Sequence, residues 1–139
     1  MAAHFAARID HAALAVADTD AVAKWYDDTL GFKIVVTQAP KPPVTQNTYL
    51  LGPVSADGIA DGHMLEIMPK NASPRHERNS HEPGHSHLAF YVPDFEASLA
   101  HLRSHGVKFL TDIIPAVGGG RLISFQDIEG NMIQIVERK

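Results

Sequence analysis

The chain contains no cysteine. That excludes disulfides, a thiolate nucleophile and any zinc site built on sulfur. Basic charge is also scarce: 12 Lys and Arg stand against 16 Asp and Glu, a formal net charge of −4. With no basic stripe to neutralise phosphates, nucleic acid is not an expected partner. No apolar run approaches the roughly 18 residues that cross a bilayer, and the N-terminal segment lacks a signal-peptide apolar region. No membrane partner is expected, and the expected location is cytoplasmic. Histidine, by contrast, is abundant, with nine in 139 residues. A metal bound here would be held through nitrogen and oxygen. The length suits one compact domain, residues 1–139, and the 45% hydrophobic and 20% charged residues are those of a globular chain with a real core.

Two segments repeat each other: His11-Ala12-Ala13-Leu14-Ala15-Val16-Ala17-Asp18 and His87-Leu88-Ala89-Phe90-Tyr91-Val92-Pro93-Asp94. Each opens on histidine, alternates into apolar residues and closes on an aspartate able to cap a helix. A repeat in so short a chain implies two copies of one unit and two histidines in equivalent places.

The elements that follow each copy also correspond. A strand over about Arg8 to Ala17 leads through Asp18 into a helix with Val22, Trp25, Tyr26 and Leu30 at helical spacing, stopped at Gly31. Lys33–Thr37, Asn47–Leu51 and His63–Met68 read as strands. The proline-rich Ala39–Val44 is a loop or edge, and a Gly/Asp-rich turn separates the last two strands. In the second copy a strand over about His85–Val92 precedes a helix capped by Asp94, with Phe95, Leu99 and Leu102 on one face and a stop at Gly106. Strands near Val107–Thr111, Arg121–Gln126 and Asn131–Glu137 complete it. The order is βαβββ twice, an α+β fold, with module one at about 8–70, a polar connector at 71–84 and module two at about 85–138.

Strand side chains alternate between faces, so parity decides which residues share a surface. Leu14 and Val16 go under the first helix, which sends His11, Ala13 and Ala15 to the other face. Leu88, Phe90 and Val92 go under the second, which sends His87, Ala89 and Tyr91 outward. In the last strand of each module Leu65/Ile67 and Ile133/Ile135 take the helix side, leaving Glu66 and Gln134 with the histidines. Glu137 has the parity of Ile133 and Ile135 and is rejected as the partner of Glu66. The expected ligand set is therefore His11, Glu66, His87 and Gln134, suited to Zn, Fe, Ni, Co or Mn. Open coordination positions would serve as a Lewis acid toward a substrate oxygen. Glu66, the only carboxylate of the set, is the expected base.

Other residues carry weaker expectations. Tyr91 shares the face of His87, and His85 stands two residues before it; both are expected to contact substrate. Arg121, after Gly118-Gly119-Gly120, is a candidate contact for an anionic group or else a plain surface arginine, while the glycine run lacks the strand–helix context of a phosphate cradle. His76 and His81 are expected in solvent, and Trp25 and Tyr26 in the core.

At these residues the chain resembles the vicinal oxygen chelate superfamily, which includes glyoxalase I, methylmalonyl-CoA epimerase, extradiol dioxygenases and fosfomycin- and bleomycin-resistance proteins. The resemblance runs from Ile9 to Glu137. It is carried by Trp25-Tyr26 through Leu30-Gly31-Phe32, by Gly84-His85-Ser86-His87-Leu88-Ala89-Phe90, and by Phe125-Gln126-Asp127-Ile128-Glu129-Gly130-Asn131, where Ile128 replaces the usual proline. It implies paired βαβββ modules in a cupped mixed sheet with helices outside, a divalent metal on His11, Glu66, His87 and Gln134, and a homodimer acting on a small molecule. The implied activity is that of a glyoxalase-like lyase or isomerase, removing a proton next to a metal-chelated carbonyl. Glyoxalase I usually has glutamate where Gln134 stands. At Ala15 it tends to have an arginine that grips glutathione. Lys70 occupies the place of a glutathione-binding asparagine, which makes it a substrate-contact candidate. Two alternatives stay open: a non-haem iron extradiol-type dioxygenase using His11, His87 and Glu66, and a metal-free ligand-binding or antibiotic-resistance protein.

Overall fold

The structure, a computed structural model, describes residues 6–53 and 62–139. The expected Gly/Asp-rich turn between the third and fourth strands lies mostly outside these residues. The chain divides into two compact units, Met1–Ser73 and Pro74–Lys139, with the boundary inside the expected connector.

In the first unit β1 (His11–Val16) leads into α1 (Thr19–Leu30), followed by β2 (Lys33–Gln38), β3 (Thr48–Gly52) and β4 (Met64–Pro69). The helix starts where it does because Asp18 accepts a hydrogen bond from the Ala21 amide at 3.0 Å, a cap whose loss costs about 1 kcal/mol. It ends at Gly31, which takes the left-handed conformation. The strands form one sheet in the order β1-β4-β3-β2, with β1 and β4 parallel and the other pairs antiparallel. Val16, Val22, Tyr26, Leu51, Leu65 and Ile67 are fully or almost fully buried between helix and sheet. Each such side chain contributes about 1.5–3 kcal/mol by leaving water. Gln46 ties the segment before β3 to the helix start, its Nε2 donating to the Ala17 carbonyl and its Oε1 accepting from the Thr19 amide. The Tyr49 hydroxyl donates to Asp20 and binds β3 to the first helical turn.

The second unit repeats the plan with β5 (Leu88–Tyr91), α2 (Phe95–Ser104), β6 (Lys108–Phe109), β7 (Ile114–Pro115), β8 (Arg121–Gln126) and β9 (Met132–Glu137). Asp94 caps α2 through the Ala97 amide. Phe95, Leu99 and Leu102 on α2, with Ile123, Phe125, Ile133 and Ile135 on the sheet, form its core. The sheet order is β5-β9-β8-β6, again with the first pair parallel.

Three details differ from the sequence reading. The first strand of each unit is shorter, so His87 stands just ahead of β5 while His11 opens β1. The helix α2 ends at Ser104 with His105 as its cap, one residue before Gly106. The expected strand near Val107–Thr111 is reduced to two residues, and β7 pairs separately with β8. The cause is local. The Thr111 hydroxyl accepts from the Ser124 amide at 3.1 Å and takes the place of a backbone carbonyl, so the ladder is interrupted.

The turn between β8 and β9 explains the Asp127-Ile128-Glu129-Gly130-Asn131 segment. Buried Asp127 accepts from the Glu129 and Asn131 amides at 2.9 Å through Oδ1 and from Asn131 Nδ2 at 2.8 Å through Oδ2. Asn131 Oδ1 in turn accepts from Arg75, which fastens the start of this unit to the turn.

Between β7 and β8, Gly120 has φ of +91°, and a Cβ there would land on the Glu137 carbonyl of β9. Gly106 also has positive φ, +65°, but open space around it. Gly106→Ala is expected to cost about 1–2 kcal/mol for the left-handed backbone alone. Gly120→Ala adds a backbone collision and should exceed about 3 kcal/mol, at the upper end of single-substitution effects. Urea unfolding of both variants checks the difference.

Candidate metal centre

Each unit presents the same small surface on the side of its sheet away from the helix. In β1 exposure alternates, with His11, Ala13 and Ala15 exposed and Val16 buried. In β4 Leu65 and Ile67 are buried, whereas Glu66 is half-buried. Parallel pairing sets Ala13 beside Glu66 and His11 beside Met64. His11 and Glu66 are thus diagonal neighbours across a floor of alanine. In the second unit Ala89 lies beside Gln134, and His87 precedes Ala89 by two residues as His11 precedes Ala13. The register of the two units is the same.

The hydrogen bonds around these donors leave defined atoms for ligation. His11 Nδ1 is 2.7 Å from Asp10 Oδ2. This bond, with the negative charges of Asp10 and then Glu66, raises the imidazole pKa above its ordinary value. His87 Nδ1 is 2.8 Å from Ser86 Oγ. In both rings the contacted nitrogen is Nδ1, so Nε2 is the atom presented. Gln134 is buried, and its Nε2 donates to Ser124 Oγ at 3.1 Å, which leaves Oε1 as the atom able to act as a ligand. Two imidazole nitrogens, a carboxylate and an amide oxygen are the donor types that first-row divalent ions accept. They fit such an ion chemically. Within a single unit, however, the expected set supplies only one imidazole and one carboxylate or amide. Among the described residues no three His, Cys, Asp or Glu side chains gather as a metal cluster.

Asp10, Ser86 and Ser124 were not singled out from the sequence. The signal for the first two was adjacency, since each directly precedes its histidine. Ser124 has the parity of Gln134 on the neighbouring strand and is paired with it in register.

The remaining candidates are placed as follows. Tyr91 is 65% exposed on the face of His87 and Gln134. His85 is exposed in the segment before β5. Lys70 follows β4 and donates to the carbonyls of Asn71, at 3.0 Å, and Ser73. It lines an open cavity of about 370 Å³ with Val44, Thr45, Gln46, Pro69 and Asn71.

Arg121 lies on the helix side instead. It pairs with Glu96 at 2.9 Å and Glu137 at 3.2 Å, and stacks 4.4 Å over the Phe95 ring. Its guanidinium clamps α2 to β8 and β9, and these carboxylates, not an anionic ligand, take up its charge. The same clamp occupies Glu137.

Comparison with known proteins agrees with this architecture. Residues 8–135 match the family model described as the Glyoxalase/Bleomycin resistance protein/Dioxygenase superfamily. A lactoylglutathione lyase of Haemophilus influenzae is 27% identical over 133 residues, covering 95% of this chain and 93% of that protein. Among solved structures, a glyoxalase family protein from Enterococcus faecalis has a TM-score of 0.72 at 22% identity, covering 94% of this chain and 97% of that one. TnmS3, an antibiotic-binding protein from Streptomyces, has a TM-score of 0.63 at 22% identity, covering 96% and 98%. The α+β fold with a doubled βαβββ unit is therefore the glyoxalase fold, and the chain belongs to the glyoxalase/bleomycin resistance protein/dioxygenase superfamily.

Proposed function

We propose that the protein is a metal-dependent lyase or isomerase of the glyoxalase type. In this reading His11, Glu66, His87 and Gln134 hold one divalent ion, and Glu66 moves a proton at the carbon next to a substrate carbonyl. The observation that carries it is the shared register: a histidine two residues ahead of an alanine, and that alanine beside Glu66 in one unit and beside Gln134 in the other. The donor pairs come one from each unit, from a single chain or from two copies in a homodimer.

An ion so held supplies Lewis-acid stabilisation of negative charge developing on the substrate oxygen. The chain's own residues do the rest. Ala13, Ala15 and Ala89 leave room above the sheet for a small molecule. Glu66 takes the proton through its carboxylate and returns it to a neighbouring carbon or the same one. Gln134 has no acidic proton and cannot act as a second base, so both proton transfers fall to the first unit. Tyr91 and His85 line the approach beside His87. Lys70, at the mouth of its cavity, binds an anionic tail of the substrate. The similarity to a lactoylglutathione lyase makes 2-hydroxyacyl thioesters the substrates to test first.

Elemental measurement of the purified protein before and after dialysis against chelator tests this directly. The expected result is about one first-row divalent ion per ligand set, removed by chelator and restored by Zn, Ni, Co or Mn. With the ion present, deuterium from D2O should enter the α-carbon of lactoylglutathione or a related thioester. Iron together with oxygen uptake on catechols would move the assignment to a dioxygenase. No retained metal and tight binding of an unmodified ligand would move it to a binding protein, the role of one structural neighbour.

A further inference from the structure

The two histidines of the proposed centre are supported by chemically different partners. Asp10 is an ionised carboxylate and only accepts hydrogen bonds; the Ser86 hydroxyl both donates and accepts. At 2.7 Å from Asp10 Oδ2, the Nδ1 of His11 must carry the hydrogen. The neutral ring is then held with its Nε2 lone pair bare. At 2.8 Å from Ser86 Oγ, the Nδ1 of His87 is satisfied in either tautomer. If the hydroxyl donates, the hydrogen resides on Nε2 and that nitrogen cannot ligate. We infer that Asp10 is a positioning residue: it fixes His11 in the Nε2-ligating tautomer before any ion arrives and makes His11 the anchoring ligand. His87 is left to adopt its ligating form on binding. The anchoring role rests on the metal-dependent reading given above; control of the His11 tautomer by Asp10 does not.

The contact is local and separable from the fold. Asp10 is exposed, and its contribution to the sheet is made by its backbone carbonyl, which accepts from the Met64 amide at 3.1 Å. Removing the carboxylate leaves that bond intact, so Asp10→Ala is expected to fold normally. Outer partners of ligating histidines typically contribute 10–100-fold to metal affinity by fixing tautomer and ring orientation.

The test uses the full chain without metal, at alkaline pH where the imidazoles are neutral. Long-range 15N–1H correlation spectra report the tautomer of each ring, and calorimetric titration with Zn(II) reports affinity. Wild-type His11 should show the Nδ1–H pattern. Asp10→Ala should shift it toward Nε2–H and weaken Zn(II) binding by about 10–100-fold. Ser86→Ala should lower affinity far less. An Nε2–H tautomer for His11 in the wild type would overturn the inference, as would an Asp10→Ala protein with unchanged tautomer and affinity. A wild-type protein with Nδ1–H at His11 but no Zn(II) binding would overturn the anchoring role and the metal-dependent reading together, while leaving Asp10 in control of the tautomer.

Discussion

Replacing Glu66 by glutamine is expected to lower turnover by about 10²–10⁴-fold, the usual contribution of a positioned general base. That range corresponds to roughly 2.7–5.4 kcal/mol of transition-state stabilisation. The substitution keeps the side-chain shape and an oxygen able to ligate. Its site is a half-buried strand position with Ala13 on one side and Leu50 on the other, so packing should not change appreciably. A neutral amide holds an ion more weakly than a carboxylate, so the variant is assayed with its ion restored. The informative result is therefore a slow enzyme that still holds its metal. Deuterium exchange at the α-carbon of a thioester substrate and elemental content, measured on the same preparation, check both halves. Full exchange activity in a metal-replete Glu66→Gln protein would remove Glu66 from the role of base.

Loss of either imidazole should have the next largest effect. His11→Ala and His87→Ala each delete one of two strong nitrogen donors, and each should reduce Zn(II) affinity beyond the 10–100-fold that an outer partner contributes. Both histidines are exposed and outside the apolar core, so thermal stability of the metal-free protein should change little. Mixing the two variants separates two arrangements of the centre. If the donor pairs come from two copies, the mixed dimer has one intact set and regains part of the binding. If they come from one chain, no mixture restores it. Isothermal titration of the mixture against each variant alone gives the answer.

Much of this was legible in the sequence because it depends on period-two alternation. The helix-side residues Leu65, Ile67, Ile133 and Ile135 could be assigned by counting, and their burial follows. Counting also separates Gln134 from Glu137, and the structure gives the latter to Arg121. Helix starts at Asp18 and Asp94 were equally readable, since capping is a matter between residues three apart. What escaped depends on where long or rotatable side chains finally rest. Arg121 read as a candidate anion contact because nothing local reveals that Glu96, on a helix 25 positions upstream, closes over it. The break between β6 and β7 arises from one threonine hydroxyl displacing a carbonyl. The support of His11 and His87 by their preceding residues depends on rotamers that no spacing rule specifies.

The parallel pairing of β1 with β4, and of β5 with β9, also has a consequence for how the protein becomes competent. Antiparallel neighbours such as β2 and β3, or β8 and β9, close short loops and can form early. The parallel pairs join the first and last strands of their units and must wait for nearly the whole unit to be organised between them. Since His11 shares a face with Glu66, and His87 with Gln134, only through the register of those late pairings, a partly folded chain would lack the assembled donor pairs of the proposed centre. Under the metal-dependent reading, an added ion is then expected to leave the rate of folding unchanged and to act on unfolding. It should slow the opening of the finished units and leave the chevron's folding limb where it was.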